Sequence, residues 1–218
     1  MPNMLGYLII FSIPLESLGE IVFPGEELLT FLSSLLLLSI SLYRYFKRKE
    51  ISYAMWSIAA LAFLIISAAL ALLKLDALSL PITPYIGALY PAFMAAGILG
   101  KDHWREYVIF IILMLFLMAM GQLFYKPVFT GAEVALHSIS GLIIIFLPFI
   151  MVVKKRAPPA ASLIGLGGLL ISIGGLALAA LMTQKPILPI ETVIFLLHPL
   201  LFLSAFLIAA GIYLYGRS

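Results

Sequence analysis

The sequence has no cysteine, few charges and little of the polar surface that a water-soluble domain requires. The absent thiols exclude a disulfide framework, thiolate metal sites and cysteine nucleophiles. Charged side chains are 11% of the chain and apolar ones 64%, against about 25% and 45–50% in an ordinary globular domain. Glycine follows no triplet period and long polar tracts are missing, which removes collagen-like and disordered classes. No Walker loop and no His-Glu-x-x-His pair occurs either. What is present is lipid-compatible sequence with a mean hydropathy of +1.18. The fold class it implies is all-α, a polytopic transmembrane helical bundle.

Apolar runs of at least 18 residues, bounded by charge or proline, predict spans at 26–46, 51–73, 79–100, 106–125, 130–153, 159–182 and 187–215. Short links such as Lys47-Arg48-Lys49-Glu50, Lys101-Asp102-His103 and Lys154-Lys155-Arg156 make consecutive spans antiparallel neighbours. Ten of the thirteen Lys and Arg residues fall on one side of that layout, in 44–50, 101–105, 154–156 and at Arg217. Only Lys74, Lys126 and Lys185 fall on the other. The positive-inside rule therefore predicts a cell-membrane protein with those three basic loops and the C-terminus in the cytoplasm and the first span starting outside. The pI of 9.1 is a topology signal of this kind and carries no expectation of nucleic-acid binding.

Residues 1–25 form a separate segment ahead of the single seven-span domain at 26–218. Met4 to Phe23 is apolar but carries Pro14, Glu16 and Glu20, and no Lys or Arg precedes it. Two carboxylates are costly on a lipid-facing helix. An interfacial or re-entrant segment is therefore expected, or an eighth span if it crosses. The sixth span holds Gly167, Gly168, Ser172, Gly174 and Gly175 at spacings of four and seven. Small residues on one stripe let a second backbone approach closely, either inside the bundle or in a homodimer.

Ionisable groups within spans usually face the bundle interior and are functional candidates. Glu133 and His137 lie four apart, Glu191 and His198 seven apart, so each pair shares a helical face. Gln122 closes the preceding span on the same outer side. With Glu16 and Glu20 they form a candidate ligand- or cation-binding cluster, with His137, His198, Glu133 and Glu191 as candidate ligands of a divalent metal. A haem b held by His137 and His198 is a second reading, although their depths differ by about 7 Å. The third is ordinary hydrogen bonding between helices.

Other chemistries fail on residues. The last span has no lysine for a retinal Schiff base, and a zinc hydrolase of the adiponectin-receptor type needs several histidines and an aspartate around one zinc, whereas His103, one of the three histidines here, falls in an expected cytoplasmic loop. Pro24-Gly25-Glu26-Glu27 resembles the Pro-x-Glu-Glu of membrane lycopene cyclases, without that family's tyrosine- and tryptophan-rich context. The seven-span layout resembles the sensory regions of some bacterial and archaeal membrane kinases. The leading expectation is a small transporter, or a protein that handles a small ligand or cation through the outer Glu/His cluster. The alternatives are a non-enzymatic sensor or accessory subunit of a larger membrane complex, and a haem-bearing electron carrier.

Overall fold

The computed structural model describes residues 26–182 and 189–215. Readings that fall on 1–25, including Glu16 and Glu20, and on Lys185 and Arg217 lie outside the described residues. Among those residues the regular structure is helical throughout: α1 (Glu26–Arg48), α2 (Ile51–Leu73), a 3₁₀ turn (Lys74–Ser79), α3 (Thr83–Phe124), α4 (Lys126–Val153), α5 (Ala161–Met182) and α6 (Ile190–Tyr215). Five of these, α1 to α4 and α6, contain stretches long and apolar enough to cross a bilayer, and α5 contributes a shorter one at Ala161–Ala177.

Local chemistry sets the boundaries. α1 opens on two glutamates and closes on Lys47 and Arg48, the charges that favour the positive and negative ends of a helix dipole. α1, α2 and α4 are followed by Lys49, Lys74 and Lys155 at φ 58°, 54° and 54°, positive values that stop a helix. Pro84 and Pro127 occupy the first turns of α3 and α4, where a missing N–H costs nothing.

α3 has 42 residues, about 63 Å if straight and twice the thickness of a bilayer core. It is not straight. Gly100 has φ 63° and ψ −157°, and the Tyr85 hydroxyl donates to Gln122 Oε1, 37 residues further on. Only a chain folded back at Gly100 brings those side chains together. The two arms, 83–99 and 101–124, replace the two spans expected at 79–100 and 106–125. The loop expected at 101–105 is instead the opening turn of the second arm. Charge at the membrane edge does not break a helix; one glycine dihedral does.

Each helix packs on its sequence neighbours, and α6 returns to α1, so the bundle closes as a ring. Thr30 meets His198, and Arg44 meets Tyr213. Spacings of 14 residues on α1 and 15 on α6 make these two helices parallel and in register. Glycines on α5 set its distances: an added Cβ at Gly165 or Gly168 would strike Phe149 or Ile144 of α4, and one at Gly167 would strike Ile208 of α6. Gly174 faces Leu200 of α6, whereas Gly175 faces open space. The Ser172 hydroxyl is turned back to Gly168 O at 2.8 Å.

Side-chain polarity is distributed inside out. Leu28, Leu32, Leu36, Ile109, Phe116 and Leu142 are exposed, while Ala59, Ala60, Ala88, Ala95 and Ser34 are fully buried. Water would penalise such a surface; lipid would not, and small interior residues are how helices pack there. The helices are thus long and apolar enough for an integral membrane protein.

Candidate functional site

Three of the α2 and α6 aromatics build the site. Tyr53 and Trp56 are three apart on α2, hence on one face, with rings edge to face at 5.4 Å. Tyr215, at the end of α6, meets the far edge of Trp56 at 6.2 Å and 90°. The indole is fixed from the other side. Its Nε1 donates to Met94 O at 3.2 Å, and an added Cβ on Gly97 would overlap the ring. Gly97 is therefore a notch into which Trp56 fits. One turn later the chain reverses at Gly100.

Above this aromatic floor opens a cavity of about 830 Å³, within the usual size range of small-molecule sites. Tyr53, Trp56 and Tyr215 form its floor, and Leu147, Pro148 and Met151 of α4 and Ile164 of α5 extend the apolar wall. Its rim carries Glu50, Lys101, Asp102, His103 and Arg156, all exposed. The cavity thus joins an apolar, aromatic interior to a mouth with charges of both signs. It lies at the end of the bundle where the basic links gather, opposite the end where the sequence places the Glu/His cluster.

The predicted site residues separate into two groups. His137 is exposed on α4, its Nδ1 3.1 Å from the Glu133 carbonyl of its own helix, and Glu133 is half-buried beside it. Gln122 is exposed and taken up by Tyr85. His198 instead faces α1, its Nδ1 3.2 Å from Thr30 Oγ1. α5 lies between α4 and α6 in the ring. Glu191 falls in the first turn of α6. Among the described residues, no group of three or more His, Asp or Glu side chains gathers as a metal ion would require.

Sequence reading missed the floor. Tyr53, Trp56, Gly97 and Tyr215 are ordinary span residues by composition. The available signal was Gly97 and Gly100 standing just ahead of the Lys101-Asp102-His103 trio. Comparison with known proteins finds no match among family models, curated proteins or solved structures.

Proposed function

We propose that the chain is a seven-span membrane protein, with the basic end of the bundle in the cytoplasm, that takes up a small organic molecule in the cavity above Trp56, as a transporter or another ligand-handling protein. Counting the two arms of α3 separately gives seven apolar helical segments, the first arm of α3 and the apolar stretch of α5 being shorter than the rest, and the bias of basic residues supports their orientation. One observation carries the ligand reading: an aromatic floor beneath a mouth with both charge signs, beside the break in α3. Such a site suits a zwitterion with an apolar body. The body would lie against Tyr215 and the apolar wall of Leu147 and Met151, above the enclosed Trp56 and Tyr53, its ammonium toward Glu50 or Asp102 and its carboxylate toward Arg156 or Lys101. Broken membrane helices commonly border substrate sites in transporters.

The test is thermal unfolding of the purified protein with L-phenylalanine as probe. At a hundredfold excess over Kd a bound ligand adds about 2.7 kcal/mol, which raises Tm by about 5–10 °C for a chain of this size. Stabilisation lost in E50Q and R156Q but retained in H137A supports the cavity. Loss in H137A alone would transfer the site to the opposite end of the bundle.

A further inference from the structure

The inward face of α1 is polar along its length. Glu27, Thr30, Ser34, Leu37, Ser41 and Arg44 recur at steps of three and four, and Thr30 through Arg44 are all at most 3% exposed. The opposite face, with Leu28, Leu32, Leu35, Leu42 and Phe46, is exposed. In a lipid-facing bundle inward hydroxyls serve close packing, but an inward charged residue such as Arg44 marks a polar pathway. None of these side chains borders the cavity above Trp56.

The column has two halves. At one end Lys74 Nζ pairs with Glu27 Oε1 at 3.2 Å, and Thr30 joins His198 of α6. Ser34 follows, its hydroxyl 2.7 Å from Ser67 of α2. At the other end Arg44 lies 4.9 Å over the Tyr213 ring and donates to the Tyr213 carbonyl. Ser34 and Ser41 are about 10 Å apart along the axis, and fully buried Leu37 stands between them.

Ser41 is the second observation. Its hydroxyl is fully buried and has no hydrogen-bond partner among the described residues. The other buried serine and threonine hydroxyls of α1 are satisfied: Thr30 with His198, Ser33 by Thr30 O at 2.8 Å and Ser34 by Phe31 O at 2.7 Å. An unpaired hydroxyl in a bundle interior draws in water when a polar path reaches it; Ser41 and Arg44 are both enclosed in this structure, and Arg44, one turn on, is the polar side chain beside which such a path would open from the basic end.

We infer that the inward face of α1 is a proton route made of two polar half-channels, closed in this structure by Leu37. His198 takes a proton from the Glu27 end, since an imidazole can accept at one ring nitrogen and donate from the other. When the leucine moves aside, the proton passes along hydroxyls and water by way of Ser34 and Ser41 and leaves at the Arg44 end. Nothing is oxidised or reduced; one proton enters at one face and one leaves at the other. The buried guanidinium opposes metal cations in the same path.

The chain's lack of cysteine makes accessibility testable with single thiols. The variants S41C, T30C and L37C in membrane vesicles are exposed to the impermeant anionic reagent sulfonatoethyl methanethiosulfonate from each face. S41C should react from the face bearing Arg48 and Lys101, T30C from the opposite face, and L37C from neither. In liposomes with a valinomycin-set potassium potential and an internal pH dye, L37S should raise proton flux about tenfold, equal to about 1.4 kcal/mol off the barrier. H198A added to L37S should abolish that gain. L37C labelled as readily as S41C, an unlabelled S41C, or an L37S flux indifferent to H198A overturns the proposal. If L37S fails to fold, the three thiol variants decide alone.

Discussion

Two glycines of α3 show how differently one residue type can act. Gly100 sits at φ 63° and ψ −157°, a region nearly closed to side chains. A Cβ there would find only Ser52 Oγ, at 3.4 Å, so the obstacle to alanine is backbone strain and not crowding. G100A is expected to cost about 1–3 kcal/mol, read as a lower Tm, and to reduce probe binding because the cavity borders this turn. Gly87 is helical with open space where its Cβ would stand, so G87A should raise stability by up to about 1 kcal/mol. Gly97 is a third case: G97A drives a methyl into the Trp56 ring. The Trp56–Met94 bond and the floor should be lost together, which a red shift of the tryptophan emission would report. The surface ion pair Lys74–Glu27 is a weaker lever. With Lys74 71% exposed, K74A should change stability by less than about 1 kcal/mol.

At the scale of helices, most of the architecture was legible because lipid imposes a length. Runs of apolar residues ended by charge gave α1 and α2 to within two residues. They missed the way α3 turns, since Lys101, Asp102 and His103 look like a loop by polarity but make a helical turn. The partners of each helix were less legible. A stripe of Gly and Ser on α5 announces close approach without saying to what. The structure divides it, Gly165 and Gly168 toward α4 and Gly167 toward α6. That division yields a prediction about the element. G168L should push Ile144 and α4 away, and G167L should push Ile208 and α6 away, each destabilising the fold by about 1–3 kcal/mol of overpacking, read as a lower Tm. G175L, facing open space, should leave Tm unchanged in the monomer. A fall in oligomer mass in G175L alone would show that this remaining face of α5 seats a second copy.

For the molecule as a whole, the sequence located rare ionisable groups but not the order of the helices around the ring. The sequence groups Glu133, His137, Glu191 and His198 by depth alone, whereas around the ring α5 stands between α4 and α6. The cavity was hidden for the opposite reason. Its floor comes from residues that look like span filler until Gly97 and Gly100 bring α3 against Trp56. Both the cavity and the α1 column acquire a biological direction only from the leaflet each end occupies, which rests on the excess of Lys and Arg at the Arg48, Lys101 and Lys154–Arg156 end. Single thiols again suffice. D76C lies in the exposed 3₁₀ turn at one end and K155C in the exposed turn after α4 at the other. With an impermeant maleimide on intact cells, D76C should label and K155C should label only after lysis. The reverse pattern would place the cavity mouth outside, make it an uptake site for external solute, and reverse the direction in which His198 meets its proton.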